Sequence, residues 1–110
     1  MIFKAIIFDL DGTLVNSLQD LCDSVNFALE KYGFPKHDLR EFNYLIGDGM
    51  VKLIERALPN DKVDPEVHKN VFNDFMAHYR EHYLDKTVPY ENILQVLSEL
   101  KKLGLKMAVV

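Results

Sequence analysis

The chain is poor in the residues that mark several common protein classes. It has one cysteine, Cys22, so no internal disulfide can form. A reducing, cytoplasmic setting is the expectation that follows. It has 5 glycines and 4 prolines in 110 residues, too few for a disordered or low-complexity chain. No apolar run approaches the roughly 20 residues that span a bilayer, so no membrane partner is expected. Met1 to Phe8 is apolar but short, and acidic residues follow at once, which excludes a signal peptide. Basic residues number 13 against 17 acidic ones, for a formal net charge of -4. That balance argues against a nucleic-acid partner, which usually meets a basic face. No internal repeat is visible.

What is present describes an ordinary globular chain. Apolar residues make up 48% and charged residues 27%, and the length is that of one domain. Residues 2 to 8 (IFKAIIF) read as a strand. The continuous apolar run Ala5-Ile6-Ile7-Phe8 is the pattern of a strand buried on both faces of a parallel sheet. It stops at Asp9, and Leu10 to Leu14 form a turn-forming loop.

Helical patterns follow. Ser17 reads as an N-cap with Asp20 three residues on, close to a capping box. Apolar residues at 18, 21, 22, 25, 28, 29 and 32 share one helical face, and Gly33 and Pro35 stop it. A shorter helix is expected from Asp38 to Tyr44, and Gly47-Asp48-Gly49 breaks the chain. A third helix carries Met50, Leu53, Ile54, Ala57 and Leu58 on one stripe and ends before Pro59. Residues 59 to 65 form a loop. Asp64 and Pro65 open a fourth helix as N-cap and first residue, with Val71, Phe72, Phe75, Tyr79 and Tyr83 on its stripe. Thr87 to Tyr90 reads as a connector. A fifth helix carries Ile93, Val96, Leu97, Leu100 and Leu103, Gly104 ends it, and Leu105 to Val110 reads as a second buried strand.

A parallel crossover needs only one helix between its strands. Four further helices between about 16 and 85 are surplus to it. The expected organisation is therefore α/β: residues 1–15 as first core strand and loop, 16–85 as an inserted helical bundle, and 86–110 as core helix and second strand.

The chemistry concentrates where the first strand ends. Ligands of open parallel sheets bind beyond the carboxyl ends of the strands. Asp9 stands there, and alternation brings Asp11 to the same side while Leu10 turns away. Gly12 lets the backbone approach a ligand closely, and successive amides in such a loop form an anion site. Carboxylates alone repel phosphate. A divalent cation resolves that conflict, and oxygen-rich sites suit Mg²⁺.

The segment FDLDGTLVNS, residues 8 to 17, resembles the first motif of the haloacid dehalogenase-like (HAD) phosphatases, a hydrophobic strand leading into Asp-x-Asp-x-Thr. The stretch Leu45-Ile46-Gly47-Asp48-Gly49-Met50, with Leu53, Glu55, Arg56, Ala57 and Leu58, is similar to the cap segment of phosphoglycolate phosphatase-type members. Residues 88 to 110 resemble the helix and strand that lead to that family's second motif. The resemblance implies a Rossmannoid parallel sheet, partial in this chain, with an inserted helical cap. It implies a phosphomonoester hydrolase acting on a small phosphorylated metabolite, with 2-phosphoglycolate the leading guess. Asp9 would be the nucleophile and Asp11 the general acid and then base. Leu10, Asp11 and Gly12 would cradle phosphate, and Asp9 with the Asp11 carbonyl would hold Mg²⁺. Gly47, Asp48, Gly49 and Lys52 would form a cap loop near the substrate.

Two departures qualify the resemblance. Asn16-Ser17 replaces the family's frequent Asp-Ser. The family also needs a Ser or Thr after the second strand, then a Lys and further acids, beyond Val110. The 110 residues alone are therefore expected to be inactive or nearly so. A two-stranded sheet with open edges is also expected to dimerise or aggregate unless the rest of the sheet is supplied. A phosphomutase of the same superfamily and a non-catalytic cap-bearing module are the alternative functions.

Plainer readings stand beside these. A calcium loop starting at Asp9 fails, because Leu14 and Asp20 occupy the places of its Gly and Glu. A phospho-accepting receiver domain lacks the helical insertion. His78-Tyr79-Arg80-Glu81-His82 matches a zinc-peptidase pattern, but a solvated helix face is the expected role. His37 and His68 are expected at the surface and Cys22 in the core. Lys52 and Arg56 are expected to be exposed helix charges, with contact to a substrate's distal anion the rarer role.

Overall fold

The apolar stripes of the sequence become helices that close on one another. The computed structural model describes residues 4–11, 14–59 and 63–109. These form two compact units, one of residues Leu18–Lys86 and one of the residues up to Ser17 and from Thr87.

The first of these is all helical: α1 (Leu18–Lys31), a 3-10 turn at Leu39–Glu41, α2 (Phe42–Leu45), α3 (Gly49–Ala57) and α4 (Pro65–His82). Its core collects Cys22, Val25, Ala28 and Leu29 from α1, Phe42 from α2, and Leu53, Ile54 and Ala57 from α3. Leu58, and Val71 and Phe75 of α4, complete it. Each large side chain so buried contributes about 1.5–3 kcal/mol relative to exposure. Burial also pushes the Cys22 thiol up to about 11, so it is a neutral core group. No helix among the described residues is long and apolar enough to cross a membrane.

Local chemistry sets the helix ends. Gly33 takes φ +76°, a conformation that side-chain-bearing residues resist. Its N–H donates to the Glu30 carbonyl at 3.1 Å, and the Phe34 N–H to the Leu29 carbonyl at 2.9 Å. Those two bonds are the Schellman pattern, satisfying carbonyls that the helix end would orphan. Asp64 caps α4 by accepting the Glu66 N–H at 2.8 Å, with Pro65 in the first helical turn.

Helices α1 and α4 run antiparallel, because Ser24 meets His78 while Tyr32 meets Asp74. The two ends of this unit are fastened together. The buried Asp20 carboxylate accepts the Lys86 N–H at 2.9 and 3.1 Å, and the Lys86 ammonium reaches Asp23 at 2.8 Å.

The α/β unit holds β1 (Ala5–Phe8), β2 (Val15–Asn16), β3 (Val88–Pro89), α5 (Ile93–Lys102) and β4 (Lys106–Val109). β1 and β4 pair in parallel, from Ala5↔Lys106 to Phe8↔Val109. β2 and β3 pair antiparallel through Val15↔Pro89 and Asn16↔Val88. The connector expected at 87–90 and the two residues just after the 10–14 loop thus contribute a small ribbon. Pro89, which has no N–H, fits an edge position there.

Both long strands were expected to be buried on both faces, and they are not. Ile7 is 69% exposed and every residue of β4 is exposed. Two paired strands leave their faces and outer edges uncovered. The stripe of α5 is likewise open: Val96 and Leu103 are exposed, and no residue of the helix is fully buried. The expected strand residues 2, 3 and 110 include positions outside the described residues, and so does part of the 59–65 loop.

Candidate active site

The loop after β1 is shaped by its backbone. The Leu10 carbonyl accepts both the Leu14 and Val15 N–H groups at 3.0 Å. Leu14 is buried, and its own carbonyl accepts the Tyr90 N–H at 3.2 Å. Asp11 forms an isolated bridge with Val15. A strand, a closed turn and a ribbon therefore fix both sides of the loop.

Asp9 follows the Phe8↔Val109 pair directly, at the carboxyl ends of two parallel strands. Asp9 and Asp11 are both exposed. No hydrogen bond or ion pair joins either carboxylate to another described residue. Leu10 lies between them, 43% exposed. The sequence placed these three residues together and the structure keeps them on one loop. Gly12, the other expected phosphate-cradling residue, lies outside the described residues.

Two unpaired carboxylates at a strand end are oxygen donors of the kind a hard cation takes. Mg²⁺ needs only one or two protein carboxylates and completes its octahedron with water and substrate oxygens. The donor set at Asp9 and Asp11 fits that ion. Among the described residues no group of three or more His, Cys, Asp or Glu side chains gathers to hold a metal.

The expected cap-loop residues lie in the helical unit. Gly47 and Asp48 form the turn before α3, Gly49 is its first residue, and Lys52 extends from its first turn. Lys52 is held by Glu55 at 3.3 Å. Arg56 is not a free helix charge. One guanidinium nitrogen donates to the Leu45 carbonyl at 3.3 Å and the other to the Asp48 carboxylate.

Two histidines differ from their expected surface roles. Nδ1 of His37 meets Glu41 and Nε2 meets the Ala57 carbonyl, both at 2.7 Å. Both partners accept hydrogen bonds, an arrangement that favours the protonated ring, which donates from both nitrogens. The His37 backbone also exchanges two 2.8 Å hydrogen bonds with the Asn26 amide. Burial alone would lower the His37 pKa; the bonds to Glu41 and Ala57 outweigh it and raise the value. His78 is not on a solvated face. Its Nδ1 lies 2.7 Å from the buried Ser24 hydroxyl, and its ring stacks between Phe27 and His82 at 4.2 Å each. Burial, then the neighbouring His82, lower its pKa. His82 is occupied by Asp85 at 2.6 Å. A shallow depression of about 500 Å³ lies between α1 and the end of α4, lined by Asp23, Phe27, His78, His82 and Lys86 among others.

A parallel strand pair ending in an acidic loop, with a helical unit between its strands in sequence, is an α/β arrangement. The comparison with known proteins makes this specific. Residues 6–110 match the haloacid dehalogenase-like hydrolase family model, and the chain belongs to that family. It is 42% identical over 114 residues to a phosphoglycolate phosphatase of Haemophilus influenzae, covering 98% of this chain and 51% of that protein. It is 36% identical over 110 residues to one of Neisseria meningitidis, covering 97% and 47%. A crystal structure of a predicted phosphoglycolate phosphatase from Haemophilus somnus superposes with TM-score 0.85 at 33% identity, over 98% of this chain and 51% of that one. The chain thus spans about half the length of the relatives it matches.

Proposed function

We propose that this chain supplies the nucleophile, the general acid and the cap of a Mg²⁺-dependent phosphomonoester hydrolase acting on a small phosphorylated metabolite, with 2-phosphoglycolate the first candidate. One observation carries the reading. Asp9 and Asp11 stand exposed and unpaired among the described residues, at the carboxyl end of a parallel strand, in a chain of this family.

On this reading an Asp9 carboxylate oxygen attacks phosphorus, forming an aspartyl-phosphate as the bond to the leaving oxygen breaks. Asp11 protonates that oxygen, so its first role needs the acid form. It then takes a proton from the water that attacks the aspartyl-phosphate, releasing phosphate and restoring Asp9. Asp9 and the Asp11 carbonyl would hold Mg²⁺, which when bound offsets charge on the transferring group. Amides of the loop after Asp9 orient the phosphate oxygens. The residues Gly47, Asp48, Gly49 and Lys52 would meet the part of the substrate distal to phosphorus.

The test is phosphate release from 2-phosphoglycolate by the complete hydrolase of which this chain supplies the nucleophile and cap, with Mg²⁺ and with a chelator. Asp9→Asn should lower turnover by about 10³-fold or more, while Asp11→Asn retains Mg²⁺ binding but turns over slowly. Release that survives Asp9→Asn would remove Asp9 as nucleophile. Transfer to a second hydroxyl instead of water would identify a phosphomutase.

A further inference from the structure

The loop that enters α3 has an unusual backbone. Gly47 adopts φ +119° and Gly49 φ +88°, and Asp48 stands between them at φ -128°. Nothing lies within 4 Å of a Cβ built on either glycine. The glycines are therefore required by backbone conformation and not by crowding. Two such residues in three give the loop a wide choice of conformations, and something must select one.

Arg56 is placed to do so. Its fork reaches back over the loop and holds both sides of Gly47, at the Leu45 carbonyl and at the Asp48 carboxylate. Its helix is anchored, because Leu53, Ile54 and Ala57 of α3 sit in the core. A guanidinium presents its donors in a fixed plane, which a lysine ammonium cannot reproduce. The Asp48 carboxylate also neutralises the Arg56 charge. Arg56 and Lys52 are thus both engaged by carboxylates, Asp48 and Glu55, and Arg56 acts on the loop and not as a free cation.

We propose that Arg56 is a positioning residue: it holds the Leu45–Gly49 loop in one conformation and thereby sets which distal group on a phosphate substrate is accepted. The inference rests on the reading above that Gly47 to Lys52 meet the substrate.

The experiment compares wild type, Arg56→Lys, Arg56→Met and Asp48→Asn in the complete hydrolase that contains this chain. Backbone ¹⁵N relaxation reads the order of the Gly47, Asp48 and Gly49 amides. Steady-state kinetics with 2-phosphoglycolate and with methyl phosphate, which lacks the carboxylate, read selectivity. In Arg56→Met the order parameters should fall from a rigid value near 0.85 to below about 0.6. The preference for 2-phosphoglycolate should fall about tenfold through KM, with kcat for methyl phosphate within about twofold of wild type. Arg56→Lys should recover only part of both. Asp48→Asn, which removes the charge from the same anchor, should lower the order parameters of the same loop amides; this relaxation arm decides the matter if Arg56→Met folds poorly. Unchanged loop order in Arg56→Met, or a mobilised loop with unchanged selectivity, overturns the inference. Wild type that hydrolyses neither substrate sinks the hydrolase reading instead, a result separable from unchanged loop order in the variants.

Discussion

The two units of this chain bury their apolar residues very differently. In the helical unit, Leu29, Phe42, Ile54, Val71 and Phe75 are fully buried. In the α/β unit, Leu94 is 71% exposed, Ile7 69% and Val109 56%. Composition does not explain this, since both units carry many apolar side chains. Architecture does. Four helices with broad stripes can close around a shared interior, whereas two paired strands and one helix cannot cover both faces of a sheet. The insertion is thus self-sufficient in its core, and the strand pair that bears Asp9 is not. Stability and proposed chemistry reside in different units.

The largest test of that contrast is a pair of truncations. Phe75→Ala should cost about 3–5 kcal/mol, the cost of deleting a fully buried aromatic. Leu94→Ala should change stability by less than about 0.5 kcal/mol, as at an exposed site. Urea denaturation followed by helical circular dichroism measures both. Comparable losses would mean that α5 is covered in solution, by self-association or otherwise, and the contrast would fail.

A smaller effect is expected where the helical unit is fastened. Asp20 is buried and accepts the Lys86 amide on both oxygens. Asp20→Ala leaves that amide without this acceptor and should cost about 1–3 kcal/mol. Asp20→Asn keeps one acceptor oxygen and should cost less. Hydrogen exchange at the Lys86 amide distinguishes a local opening from global loss: only the former speeds this amide while α1 stays protected.

Much of the insertion was legible in the sequence because its signals are local. The stripe at 22, 25, 28 and 29, the Gly33 stop and the Asp64-Pro65 start each need only a turn or two of helix to be read. Asp9 was legible for a related reason, since an apolar strand ending in an acid marks the carboxyl edge of a sheet. What escaped depends on residues distant along the chain. Strand burial is set by how many strands pair, which an apolar run does not state. The ribbon β2–β3 has two residues per strand, too few for any periodicity, and is secured by the Tyr90-to-Leu14 bond. His78 falls on a helix face that reads as polar, yet Ser24, 54 positions away, meets it there. The Arg56 fork spans 8 residues to Asp48, and nothing in a helical stripe announces such a return.

The finest comparison lies within the helical unit, between two histidines whose pKa values move in opposite directions. An unfolded histidine titrates at about 6.5. His37 is raised in the fold, through its bonds to Glu41 and the Ala57 carbonyl against the lowering effect of burial. Its contribution to stability is therefore complete below about 6.5 and is lost as pH rises through the folded value. His78 is lowered, by burial first and then by His82, with Glu81, Asp23 and Asp85 acting the other way. Its contribution is complete above about 6.5 and is lost as pH falls through the folded value. Stability measured from pH 5 to 8 in wild type, His37→Gln and His78→Gln should separate them. The deficit of His37→Gln should be greatest at acidic pH and shrink toward alkaline pH, and that of His78→Gln should do the reverse. Deficits relative to wild type that stay constant with pH in both variants would mean that neither ring's proton is coupled to folding, and the protonated ring favoured at His37 would be wrong.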